Sequence, residues 1–115
     1  MATTTDAERD AAAGAVFAAL ADPTRRTVVR ALAERPTVTA SALAADLPIS
    51  RQAVAKHLAA LADAGLVAAR REGRETHYRL TPAPLADAMS WIAGAGARWD
   101  DRLERLRRRL AERDG

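Results

Sequence analysis

From Leu85 to Leu110, the residues Leu85, Met89, Ile92, Gly96, Trp99, Leu103, Leu106 and Leu110 recur at alternating spacings of four and three. That period of 3.5 marks a helix whose seam meets another helix. It predicts one long C-terminal helix over residues 82–113. The opposite side carries Asp101/Arg105 and Glu104/Arg108 at i, i+4 with the acid first, each pair worth about 0.2–0.5 kcal/mol. A chain of 115 residues builds one modest core, too small to cover so long a seam. The surplus is expected to meet a second copy, giving a homodimer.

Upstream, capping residues and prolines cut the chain into short helices. A first helix is expected over Asp6–Leu20, with Val16, Phe17 and Leu20 inward. Asp22 then caps a second that starts on Pro23, a residue suited to a helix start, and runs to about Glu34. It should bury Val28, Val29 and Leu32 before Pro36 stops it. Thr39 caps a short third helix with Leu43, Ala44 and Leu47, ended by Pro48. Ser50 caps a fourth over Arg51–Ala64, in which Val54, Leu58 and Leu61 define one buried face and Gly65 is the terminator. Leu66–Arg71 and Thr76–Leu80 read as strands joined by a turn at Glu72-Gly73-Arg74-Glu75. The expected fold class is mainly α with a small β-hairpin wing: four helices, a hairpin and a fifth helix, a winged helix-turn-helix forming one domain over residues 1–115.

The net charge of +3 is unevenly spread. Residues 50–79 hold six basic groups against three acids, whereas the segments on either side are nearly balanced. Such a segment suits phosphates, which points to duplex DNA as partner. Burying Val54, Leu58 and Leu61 turns Gln52 and Lys56 outward, with Arg51 on one shoulder. Gln52 and Arg51 are the expected base readers, because Gln can bond adenine N6 and N7 together and Arg can bond guanine O6 and N7. Lys56, the single lysine, reaches a guanine or a phosphate, and Ser50 with the first-turn amides suits a phosphate. In the hairpin Arg70, Arg71, Arg74 and Arg79 can neutralise phosphates, with Arg74 at the tip directed toward the minor groove. Arg70 and Arg79 serve equally as charged protection of a strand edge. Tyr78 and Leu80 are expected to pack inward, and His57 to serve packing or hydrogen bonding.

Other chemistries lack their parts. With no cysteine there is no disulfide, thiolate metal site or cysteine nucleophile. Two histidines, His57 and His77, are too few for an ordinary transition-metal site within one subunit. Ser50 and His57 lie seven residues apart on one helix, and no glycine-rich phosphate loop accompanies them, so no enzyme activity and no cofactor are expected. No run of apolar residues is long enough to span a bilayer, and the N-terminus lacks a basic region followed by an apolar one. A cytoplasmic protein without membrane association is expected. The competing reading keeps the fold but makes it a protein-interaction module without specific DNA binding.

The ordered runs Val16-Phe-Ala-Ala-Leu-Ala-Asp-Pro-Thr-Arg-Arg26, Pro48-Ile-Ser-Arg-Gln-Ala-Val-Ala-Lys-His-Leu58, Ala64-Gly-Leu-Val67, Arg70-Arg-Glu-Gly-Arg74 and Tyr78-Arg-Leu80 resemble the ArsR/SmtB family of bacterial winged-helix regulators. The resemblance covers roughly residues 12–110. It implies a homodimer built on the first and last helices, residues 1–20 and 82–113, so that Val16 joins the seam residues at the interface. It also implies repression by occupying an inverted-repeat operator. Metal-sensing members carry cysteines where this chain has Thr39, Ala40 and Ser41. Others use carboxylate and histidine ligands on the last helix, which here holds Asp87, Asp100 and Asp101 but no histidine. The chain is thus similar to the metal-free subgroup with a tryptophan-bearing last helix.

Overall fold

Four of the five helices begin where a short polar side chain takes over first-turn amides that have no partner inside the helix. In a computed structural model describing residues 5–114, Thr5 Oγ1 accepts from Glu8 N at 3.1 Å and starts α1 (Asp6–Leu20). Asp22 Oδ1 accepts from Thr24 N at 2.8 Å and Arg25 N at 3.3 Å, opening α2 (Pro23–Ala33). Thr39 Oγ1 accepts from Ala42 N at 3.1 Å for α3 (Ala40–Asp46), and Ser50 Oγ from Ala53 N at 3.1 Å for α4 (Arg51–Asp63). Residues 1–4 and 115 of the expected domain lie outside the described residues.

The terminators also act as their chemistry predicts. Gly65 has φ of +78°, Gly65 N donates to Ala62 O and Leu66 N to Leu61 O, both at 2.9 Å. These two bonds make a Schellman motif, whose usual apolar contact is supplied by the fully buried Leu61 and Leu66. At the end of α1, Arg26 Nη1 donates to the carbonyls of Leu20 and Ala21 at 2.7 and 3.2 Å, satisfying groups the helix leaves open.

The sheet has three strands in the order β1-β3-β2, with β1 (Val38–Thr39), β2 (Val67–Glu72) and β3 (Glu75–Leu80) all antiparallel. The hairpin closes over two residues, Gly73 and Arg74, with Glu72 opposite Glu75. Gly73 has φ of +61° and Arg74 does not enter the left-handed region, the pattern of a type II′ turn. The short β1 is absent from the sequence reading. Two residues carry no periodicity, and their strand character comes only from pairing Val38 with Tyr78 and Thr39 with His77.

Val16, Val28, Leu32, Leu43, Val54, Leu58, Leu61 and Leu66 are the largest fully buried side chains, and Ala88 of α5 (Ala83–Asp114) closes the same core. Burying one such leucine or valine contributes about 1.5–3 kcal/mol. Val29, Leu47, Tyr78 and Leu80 pack at its edge, half-buried. One expectation for α1 changes. Phe17, placed inward by the sequence reading, is 37% exposed and lies edge-on to Trp91, their centroids 5.8 Å apart. The inward face keeps Val16 and, half-buried at its edge, Leu20, and adds Ala13 and Ala19, whose small side chains let α1 approach α5 closely.

Candidate nucleic-acid interface

The helix-turn-helix is α3, the turn at residues 47–50 and α4. Because Val54, Leu58 and Leu61 are fully buried, α4 is fixed in rotation, and Arg51, Gln52, Ala55, Lys56, Ala59 and Asp63 all face solvent. Gln52 in the first turn and Lys56 one turn on share a face at i, i+4, and Arg51, also in the first turn, stands about 100° around the helix on their shoulder. Ser50 is exposed, but its hydroxyl oxygen accepts the Ala53 amide, leaving its proton as the group free for a phosphate. His57 is half-buried, with Nδ1 enclosed and without a hydrogen-bond partner, in keeping with a packing role on the α2 side of α4.

The strand register sorts the wing arginines. Directly opposed residues share a face of the sheet, so Val67, Ala69 and Arg71 lie on the core side with Leu80, Tyr78 and Thr76. Arg70 and Arg79 lie on the other side, and Arg74 sits at the tip. All four are exposed. Arg70 and Arg71, adjacent in sequence, therefore start from opposite sides of the wing.

Sequence reasoning missed the acidic component of this wing. Glu72 and Glu75 flank the turn on the Arg70 face; Arg70 Nε lies 3.6 Å from Glu72, and His77 Nε2 lies 3.3 Å from Glu75 and 3.7 Å from Glu72. These carboxylates offset Arg70, leaving Arg71, Arg74 and Arg79 as the wing cations without an ion-pair partner among the described residues. The signal was available: period two places Arg70, Glu72, Glu75 and His77 on one face once the turn is fixed at Gly73-Arg74. Among the described residues, no group of three or more histidine, aspartate or glutamate side chains is arranged to hold a metal ion.

The expected interface residues divide in two. Met89, Ile92, Gly96, Trp99, Leu103, Leu106 and Leu110 are exposed along α5, Met89 by 69% and Trp99 by 59%. Val16, by contrast, is 2% exposed inside the protomer, and Leu85 packs half-buried on the same core. Val16 is therefore spent on the chain's own fold, and Phe17 beside it is the exposed apolar residue of α1. All eight exposed large apolar side chains among the described residues belong to α1 or α5.

Residues 20–70 match a helix-turn-helix domain family. The chain is 41% identical over 85 residues to the HTH-type transcriptional regulator YuzN of Bacillus subtilis, covering 68% of this chain and 92% of that protein. It is 32% identical over 99 residues to the arsenical resistance operon repressor of Escherichia coli, covering 86% and 85%. The solved ArsR-like transcriptional regulator from Rhodococcus sp. RHA1 superposes with a TM-score of 0.78 at 44% identity, over 84% of this chain and 90% of that one. The chain belongs to the ArsR family. This ArsR-family protein is a DNA-binding transcriptional regulator with a winged helix-turn-helix.

Proposed function

We propose that the protein is a homodimeric repressor that reads an inverted-repeat operator through α4 and holds the duplex backbone with its wing. The observation that carries this is the rotation of α4, which buries Val54, Leu58 and Leu61 and leaves Arg51, Gln52 and Lys56 together on its solvent side. In the major groove, Gln52 bonds an adenine edge and Arg51 a guanine edge, while Lys56 and the Ser50 hydroxyl take neighbouring phosphates. Arg74 at the wing tip, with Arg71, binds backbone or minor groove, and Arg70 contributes less because Glu72 and Glu75 share its face.

The second copy covers the α5 seam. A row of exposed apolar residues from Met89 to Leu110 is large for a protein that acts alone, and a two-fold dimer buries it isologously. The two α4 helices then meet half-sites about one helical turn apart. Acting on DNA, the protein works in the cytoplasm, and its job is occupancy rather than catalysis. With no cysteine, and with His57 and His77 on different elements, regulation by a soft or borderline metal ion does not fit the donor set. The test is recovery of bound genomic fragments, followed by fluorescence anisotropy on the recovered duplex. The reading expects a two-fold symmetric site bound with steep salt dependence; failure to bind any duplex at low salt overturns it.

A further inference from the structure

A cleft of about 580 Å³ opens where α1, the end of α4 and the start of α5 meet, a volume within the range of small-molecule sites. Its floor is small and apolar, formed by Ala12, Ala13 and Pro84. Arg9 and Asp87 both line it, and among the described residues neither is within ion-pair distance of an opposite charge. Trp91 also lines it, but its Nε1–H is already donated to Asp10 Oδ1 at 2.6 Å. The indole therefore offers the cleft its apolar ring, while Ser90 adds a hydroxyl. A cation, an anion and an aromatic surface around one apolar floor define a ligand with matching parts.

We propose that this cleft binds a small zwitterion with a flat apolar body, the chemistry of an aromatic amino acid, and that its occupancy changes DNA affinity. The ligand carboxylate pairs with the Arg9 guanidinium, whose forked donors suit it. Its ammonium pairs with Asp87, and its ring lies against Trp91 and the alanine floor. On α5, Asp87, Ser90 and Trp91 stand roughly 120–160° around the helix from the seam, so burying the seam does not itself cover them. The regulatory half rests on the reading of α4 as the DNA-facing helix. Ala64, the C-cap of α4, lines the cleft, and a Cβ on the adjacent Gly65 would lie 3.6 Å from Pro84 Cγ. A ligand seated against Ala64 and Pro84 thus bears on the joint between α4 and α5.

The test uses the full chain carrying Trp99→Phe, which leaves Trp91 as its single tryptophan. L-Phenylalanine and L-tyrosine are titrated by fluorescence and, independently of any optical change, by calorimetry. Phenylacetate and phenethylamine, each lacking one charge, are the comparators. Expected is saturable binding of an amino acid with Kd below about 1 mM and binding at least about tenfold weaker for each comparator. Arg9→Gln and Asp87→Asn should each weaken amino-acid binding by about tenfold while circular dichroism is unchanged. Absence of saturable binding by both methods, equal binding of the comparators, or indifference to both variants overturns the site. Duplex affinity of the protein with Trp99 retained, measured with and without the bound amino acid, should differ by about fivefold or more. Ligand binding with unchanged duplex affinity overturns the regulatory half alone. A protein that binds no duplex overturns the DNA reading, and the titrations still decide the cleft.

Discussion

Trp91 of α5 donates its indole proton to the Asp10 carboxylate of α1 at 2.6 Å, joining two helices across 81 residues of sequence. With the edge-on contact of Trp91 and Phe17, this bond fixes α1 beside α5 where neither helix is deeply buried. Replacing Asp10 by Ala removes the acceptor, and the expected loss is about 1 kcal/mol, because the pair is solvent-exposed. Chemical denaturation of Asp10→Ala against the parent checks it; Trp91 emission should change with it.

Apart from Leu85, the protomer core and the α5 seam are separate sets of residues. Leu103→Asp with Leu106→Asp removes apolar surface from the seam without touching Val28, Leu32, Leu58 or Leu61. The double variant should sediment as a monomer with its helical signal largely intact. An intact dimer would take the seam out of the interface, and Phe17 would be the next residue to change.

Asp22 links the start of α2 to pH. The Thr24 amide, chiefly, holds its carboxyl below the ordinary 3.8, opposed by desolvation and assisted by the Arg25 amide and by the charges of His57 and Arg25. A carboxyl lowered on folding stabilises the fold fully above its unfolded pKa, and the contribution is lost as pH falls through the lower folded value. Asparagine caps equally well without titrating. The melting temperature of Asp22→Asn should therefore fall below the parent at pH 7, and the gap should close toward pH 3. A gap that stays constant with pH would show that the Asp22 charge has no part in stability.

The wing tip is expected to bind backbone. Arg74→Ala should weaken binding to all duplexes similarly and, if one phosphate per half-site is lost, flatten the slope of log affinity against log salt by about two units for the dimer. Arg70→Ala should do less, since Glu72 stands 3.6 Å from Arg70 and already offsets it. A salt titration of both variants on one duplex makes the comparison.

Much of this was legible in the chain because the deciding signals are local. Asp22-Pro23, Thr39, Ser50 and Gly65 set helix ends through their own side chains or backbone freedom, and the observed caps fall on those residues. The rotation of α4 followed from the spacing of Val54, Leu58 and Leu61. What was missed depends on partners distant in sequence. The strand β1 exists only by pairing with β3, so two residues gave no pattern. Val16 and Phe17 are neighbours of similar hydrophobicity, and which one enters the core is decided by where α5 lies. The sharing of one wing face by Arg70 and Glu72 needed the exact register of the hairpin.

The central claim is that the exposed first turn of α4 reads base identity. Gln52→Ala bears on it most directly, because Gln52 is exposed and supports no part of the core. Affinity is measured for parent and variant on the recovered operator and on a scrambled duplex at one salt concentration. The account predicts a loss of about 1–3 kcal/mol on the operator and almost none on the scrambled duplex. An equal loss on both, or no loss on either, would contradict it.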